Sequence, residues 1–400
     1  MNPIAWTAAR AAAFAAGQAV RPDPVELPLA EADGLTLAAP LTTLTDLPAF
    51  PTSSVDGYAT RGGGPWRVVG QVLAGSVPGS LAAGQALEIA TGAMVPPGTE
   101  QIIRVEESSI DADGRVNGRG RPMPEWREPG DEAAKGEDLL PAGVRVTPGL
   151  IGLAASCGYE MLTVVPPPRV ATVVFGDELL TYGPPGDGRV RDALGPQVPA
   201  WLRRLGATVV PGFGPRGPVE DTLDAHVAAI MSALDRADVV CTTGGTMHGP
   251  VDHLHPALTE LGAEYVANTV AVRPGFPMLL ASIPGSRPRF VAGLPGNPQS
   301  AIVALVSLVE PLLRGLSGRT EPSLGSVILA EPVPGRGDFT HLVLVRAEAS
   351  GARPVAHAGS AMLRGLAQAD GFAVIAPGTN GAPGDSVPLV ELPLHSGGRP

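Results

Sequence analysis

The chain has 400 residues, too many for one ordinary hydrophobic core, so roughly two to four domains are expected. Its 44% hydrophobic content excludes a globally disordered chain, and its net charge of −11 disfavours a nucleic-acid partner, which needs a basic face. Aromatic residues at 4% are too few for the stacking platforms that grip single strands.

Residues 3–18 are Ala-rich, with Ile4, Ala8, Ala11, Phe14 and Ala15 on one stripe, which predicts a helix. Arg10 interrupts it, and no run of about 18 apolar residues occurs anywhere, so a soluble cytoplasmic protein with no membrane span is expected. Residues 27–29 and 35–38 read as strands around an Ala-Asp-Gly turn. From 48 to 127 the pattern is β, with strands expected at 66–72, 86–89 and 101–105 and a turn at 111–114. Residues 115–138 are polar and rich in Gly and Pro, as in a loop returning from an inserted domain.

After Pro166-Pro-Pro168 the character changes. The run RVATVVF at 169–175 reads as a buried parallel strand. Helices are expected at 198–205, 223–233, 254–261 and 300–316, and strands at 207–210, 237–241 and 290–292. This alternation predicts a doubly wound α/β domain over 168–318. Short strands return from 326 to 394, so a small β domain closes the chain. The fold class is therefore α/β plus β, multidomain. Cys157 and Cys241 lie far apart and read as buried, reduced thiols.

In an open α/β sheet, ligands bind at the carboxyl ends of the strands. Three loops fall there: Gly176-Asp-Glu178, the Thr243-Gly-Gly-Thr246 stretch running on to Asp252, and Leu294-Pro-Gly-Asn-Pro298 leading into Ser300. They supply carboxylates able to hold Mg²⁺, glycine-rich backbone that can approach a phosphate and a helix N-terminus suited to an anion. Asp221, in Val219-Glu-Asp-Thr222, reads most simply as the N-cap of the following helix. His248, His253 and His255 lack the accompanying ligands of a zinc site. No GxSxG, Walker loop or GxGxxG after a strand occurs.

In order along the chain, SSVDGYA at 53–59, TGAMVPPG at 91–98, FGDEL at 175–179, GRVRD at 188–192, TGGTMHGPVD at 243–252, VRPGFP at 272–277 and LPGNP at 294–298 resemble the molybdopterin molybdenumtransferase family, which includes the E domain of gephyrin. GRGDF at 335–339 and GSAML at 359–363 resemble stretches of its last domain. The resemblance implies an elongated N-terminal domain (1–45 and 136–167), an inserted β domain (46–135), the α/β domain (168–318) and a C-terminal β barrel (319–400). It implies a homodimer whose site is completed by the partner's inserted domain. It implies transfer of molybdate onto adenylylated molybdopterin, with cleavage of the adenylyl bond, release of AMP and Mg²⁺ as phosphate counter-ion. Molybdopterin adenylyltransferase and molybdoenzymes are the implied partner proteins.

Residue by residue, the resemblance assigns functional roles to Asp56, Thr91 and Arg127 of the inserted domain. Glu178, Asp221 and Asp252 match the acidic nucleotide and metal region, with Asp192, Gly244 and Gly245 beside them. Arg273, Pro295, Gly296, Asn297, Pro298, Ser300 and Ser360 match residues near the molybdate. The chain also departs from the pattern. Phe175 stands for a Thr, Leu194 for an Asn, Phe276 for a Lys and His341 for an Arg. These departures fit a divergent working enzyme, or a degenerate paralogue that binds molybdopterin or a partner without turnover.

Overall fold

The computed structural model describes residues 3–211, 218–247 and 252–394. Its centre is a six-stranded sheet in the order Thr208–Val209, Arg169–Val174, Val239–Thr243, Arg289–Leu294, Leu279–Ile283, Glu264–Asn268. The first four strands run parallel, the fifth runs antiparallel to them, and the sixth runs antiparallel to the fifth. Alternate residues of a strand feed opposite cores. Val239 and Cys241 join one, shared with Val198, Leu202 and the helix Pro298–Leu316; Val240 joins the other, with Ile230 and Leu254. That two-sided burial is the doubly wound arrangement expected from the run RVATVVF.

Two expectations shift in this region. The strand placed at 237–241 lies at Val239–Thr243, and the helix placed at 198–205 spans Leu194–Arg204. The helix starts early because Asp192 Oδ1 accepts from the Leu194 and Gly195 amides, at 3.0 and 2.8 Å, which satisfies first-turn donors.

The helix Pro298–Leu316 is 19 residues long and apolar enough to cross a membrane, but 89% of its apolar window is buried inside the protein. It is a core helix. Its middle turn, Leu305–Val309, is wound as a π-helix. Pro311 lies one turn on and has no N–H to offer the Ser307 carbonyl, a usual cause of such a bulge. The N-terminal helix, Trp6–Ala19, crosses this helix where two glycines meet the opposing backbone. A Cβ on Gly17 would lie 2.3 Å from the Leu312 carbonyl oxygen, and one on Gly315 would lie 2.3 Å from that of Phe14. Trp6 Nε1 donates to Ser307 Oγ at 2.8 Å, so neither buried polar group is orphaned.

Strands Val25–Pro28 and Thr36–Leu37 do not pair with each other as a hairpin. Met161–Val165 lies between them, antiparallel to both. The residues 46–135 carry a six-stranded sheet of their own, in which Trp66–Val72 falls where expected. The turn at 111–114 is also as expected, held by Asp111 Oδ1 accepting from the Asp113 and Arg115 amides. The last sheet contains Thr340–Glu348, Gly371–Ile375, Ser386–Glu391 and Gly325–Ile328, and continues through Val270–Arg273 to Ile4–Ala5. The closing β region is therefore stitched to the α/β unit by its own backbone ladder. Cys157 and Cys241 are both free and buried.

Candidate functional site

Parallel pairing brings the carboxyl ends of three strands level, with Val174 beside Thr243 and Thr243 beside Leu294. The loops leaving them touch. Phe175 N donates to Thr243 O at 3.1 Å, and Gly244 N to Leu294 O at 3.0 Å. Gly244 and Gly245 have φ of +89° and +65°, the left-handed region that glycine occupies at little cost. A side chain on Gly244 would also press the Phe175 carbonyl, 3.3 Å from its Cβ.

Asp221 sits at this edge. Its Oδ2 accepts from the Asp177 amide at 3.2 Å, which joins it to the Gly176-Asp-Glu178 loop. Reading Asp221 as the N-cap was wrong: Thr222 Oγ1 accepts from Ala225 N and caps the helix Leu223–Leu234. The adjacent hydroxyl takes the capping bond, and the carboxylate is left for the loop. Glu178 is exposed and folds back over Gly176, its Oε2 2.6 Å from where a Cβ there would stand. Asp252 is half-buried and directly precedes His253. Among the described residues, no three His, Cys, Asp or Glu side chains are grouped closely enough to hold a metal ion. Glu178, Asp221 and Asp252 therefore do not form a closed three-ligand cage. His248 lies outside the described residues.

Sequence reasoning missed His226. Fully buried, it stacks on Phe175 with ring centroids 3.6 Å apart, meets His253 edge-on at 5.5 Å, and places Nε2 3.5 Å from Asp221 Oδ1. Burial pushes its imidazole below the ordinary histidine range, partly opposed by Asp221. The only signal in the sequence was a polar residue on the apolar stripe of a helix.

A second group lines a cleft of about 630 Å³ between the α/β unit and the last sheet. Arg273, Pro295, Asn297, Ser300 and Ser360 all line it. Arg273 stands beside His341 in parallel register. Its guanidinium lies over two rings, 4.4 Å from the centroid of Phe339 and 4.9 Å from that of Phe276, and those rings meet edge to face at 5.7 Å. Such stacking suits a planar guanidinium far better than an ammonium. His341 Nδ1 lies 2.8 Å from Pro334 O, and burial holds its imidazole low, helped by Arg336. Sequence reasoning also missed Arg336, a second cation lining the cleft, and Gln299.

The helix N-terminus expected to be open to an anion is partly occupied. Ser360 O accepts from Gln299 N at 3.0 Å and from Ser300 N at 3.4 Å. With its amide nitrogen turned toward them, Gln299 donates to Gly359 O at 2.9 Å and to Ala358 O at 3.1 Å. Ser360 thus joins this region through its main chain, and its side chain is exposed. Asp192 is buried, and the amides it accepts tie it to the helix start.

In the inserted segment, Asp56 Oδ1 accepts from the Thr91 amide at 2.6 Å and from its hydroxyl at 3.0 Å. Those two bonds hold the Asp56 carboxyl below the usual carboxylate range. Arg127 lies exposed on a short strand paired with Thr52–Ser53. The strands of this segment pack chiefly on one another.

Comparison with known proteins matches three family models in chain order. These are the MoeA N-terminal region (domain I and II) over residues 5–158, the probable molybdopterin binding domain over 171–315, and the MoeA C-terminal region (domain IV) over 326–392. The molybdopterin molybdenumtransferase of Bacillus subtilis is 31% identical over 368 residues, covering 86% of this chain and 84% of that protein. Molybdopterin molybdenumtransferase 2 of Mycobacterium tuberculosis is 31% identical, covering 78% and 81%. A crystal structure of a molybdopterin biosynthesis MoeA protein from Pyrococcus horikoshii superposes with a TM-score of 0.79 at 26% identity, covering 98% of this chain and 99% of that one. With three models in order, and relatives aligned over most of their length, the chain belongs to the molybdopterin molybdenumtransferase (MoeA) family of molybdenum cofactor biosynthesis.

Proposed function

We propose that this chain transfers molybdate onto adenylylated molybdopterin, cleaving the adenylyl bond and releasing AMP. One observation carries the reading: three strand-end loops meet at Gly244, with Asp221 bonded to the Asp177 amide beside them. The phosphate end of the substrate would lie against Gly244 and Gly245, where backbone amides can approach it. Molybdate would lie in the cleft with Arg273 and Ser300, the cation offsetting oxyanion charge. Phe276 and Phe339 set their rings against the exposed Arg273 guanidinium and hold it in place.

Mg²⁺ fits this edge when substrate completes its shell, because the ion takes one or two carboxylates and leaves other positions to phosphate oxygens and water. Asp221 and Asp252 are the residues that would hold it, with Glu178 at the rim. The ion would offset charge on the phosphate under attack.

The inserted residues Asp56, Thr91 and Arg127 are read as completing the site of a partner copy, in a homodimer, since within one chain their sheet packs on itself. The division into 1–45 with 136–167, 46–135, 168–318 and 319–400 belongs to the same reading; 46–135 carries a six-stranded sheet of its own, whereas the last sheet runs on through Val270–Arg273 to Ile4–Ala5 and crosses the other divisions. So do a cytoplasmic location and molybdopterin adenylyltransferase and molybdoenzymes as partners. The test is molybdate-dependent release of AMP from adenylylated molybdopterin with Mg²⁺. Release that stops on chelation and falls in Asp221→Asn supports the reading. Nucleotide binding without release would instead support a paralogue that binds without turnover, which the Phe175 ring inserted at the loops favours.

A further inference from the structure

A cavity of about 560 Å³ opens where the N-terminal helix, the end of the long core helix, residues 143–145 and the strand Ser386–Glu391 come together. It shares no lining residue with the Arg273 cleft. Five arginines line it: Arg10, Arg145, Arg204, Arg314 and Arg319. Two carboxylates line it with them, Glu310 and Glu391, and a third, Glu321, lies close enough to act on Arg10, which leaves a formal surplus of two positive charges in a chain whose net charge is −11.

Four of the guanidinium groups donate to backbone oxygens. Arg10, only 6% exposed, donates to Val306 O. Arg204 donates to Pro393 O at 3.2 Å, Arg314 Nε to Thr320 O at 2.9 Å, and Arg319 to Gly34 O at 3.2 Å. Carbonyls orient these forks but do not neutralise them. Arg319 Nε is buried and, among the described residues, has no hydrogen-bond partner. Burial and repulsion from Arg145 and Arg314 push the Arg319 guanidinium down to about 10. Burial also pushes the Glu310 carboxyl up, against Arg10, Arg314 and Arg319, so this carboxylate is itself a costly counter-charge. Like charges gathered out of water are unfavourable unless a counter-charge enters. Planar forks on several sides suit phosphate, which accepts paired N–H bonds. Leu205, Leu324 and Leu392 add apolar wall.

We propose that this junction is a second anion site, distinct from the transferase cleft, which takes a ligand carrying at least two phosphate groups. Such a ligand touches the N-terminal helix, the α/β unit and the last sheet at once, and so ties them together. Inorganic pyrophosphate and the diphosphate of a nucleotide share the required chemistry.

The experiment is calorimetric titration of the full chain at low salt with a chelator present, using pyrophosphate, ADP, AMP and inorganic phosphate in separate runs. Pyrophosphate or ADP should bind at least about tenfold more tightly than inorganic phosphate, a difference of about 1.4 kcal/mol. Arg145→Gln with Arg314→Gln should weaken that binding at least about tenfold, while Arg273→Gln leaves it unchanged. Ser323 is an exposed lining residue, so Ser323→Glu adds a carboxylate there without removing any arginine bond and should weaken binding in a fully folded protein. Tighter ADP than pyrophosphate identifies a nucleotide, and the reverse identifies the inorganic ion; either supports the site. Binding that Arg273→Gln abolishes and Ser323→Glu spares, equal affinity for inorganic phosphate, or no heat with any probe overturns it, and none of these bears on AMP release at the other cleft.

Discussion

Phe175 lies flat against His226, ring centroids 3.6 Å apart and planes 11° from parallel, at the point where the first strand-end loop begins. Both residues are almost fully buried, at 3% and 0% exposure, so the pair is part of the core as well as part of the candidate site. The ring stands where the resemblance implies a small hydroxyl residue, and the imidazole that receives it borders Asp221. The departure is thus compensated locally: an apolar face meets an apolar face, and the polar edge of the imidazole turns toward a carboxylate.

Removing that ring should leave a cavity. Phe175→Ala is expected to lower unfolding stability by about 3–5 kcal/mol in urea denaturation. A loss below about 1 kcal/mol would mean that the stack is not packed as described. Phe175→Thr should cost nearly as much, because the hydroxyl does not fill the vacated volume.

Arg273 offers a separate test of the cleft. Arg273→Lys keeps the charge and loses the planar stacking on Phe276 and Phe339. The stacking is worth about 0.5–2 kcal/mol, so the KM for molybdate in the AMP-release assay should rise about 2- to 30-fold. Phe339→Ala should move the same parameter the same way, with little change in the response to the nucleotide substrate. An unchanged KM in both variants would remove the clamp from the account.

His341 predicts a pH dependence. Its folded pKa is depressed by burial and by Arg336, below the unfolded value near 6.5. The unfolded chain therefore binds more protons in that window, and stability increases with pH. The contribution is complete above about pH 6.5 and is lost as pH falls from there toward the folded pKa. In His341→Gln, the Tm measured from pH 7.5 down to 5 should fall less steeply than in the unaltered chain. A parallel pair of curves would show that this group does not titrate differently in the two states.

The helix crossing supplies a matched pair of substitutions. Gly315→Ala places a methyl 2.3 Å from the Phe14 carbonyl oxygen, so the helices must part; a loss of more than about 2 kcal/mol is expected. Gly152→Ala lies in the helix Pro148–Ser156 with nothing within 4 Å of the added carbon, and should gain up to about 1 kcal/mol. Thermal unfolding of the two variants reads both. Equal effects would contradict the close approach.

Much of the architecture was legible from local pattern. RVATVVF announced a strand buried on both faces, and Val170 and Ala171 do feed opposite cores. The order of DGYA, GDEL and LPGNP pointed to the family, and the matched models follow the same order. Strands 264–283 were not foreseen. Val270–Arg273 leaves the central sheet for the last one, a choice made by partners far along the chain rather than by β propensity. The strands expected around Ala32-Asp33-Gly34 are present but do not pair with each other, for the same reason, since Met161–Val165 enters between them.

Within the candidate site, residue types and loop positions were readable, because strand-end loops and acidic residues leave a mark in sequence. The contacts between them were not. That Thr222 rather than Asp221 caps its helix, that His226 receives Phe175, and that Arg273 lies over two rings depend on which atoms end within about 4–5 Å of each other. By itself the sequence determined the family, the alternation of elements and the identity of the charged groups, because those follow from composition, periodicity and motif order. Only the tertiary structure decided which of those groups face one another and which are already occupied by backbone, because hydrogen bonds and burial are set by distances that chain order does not contain.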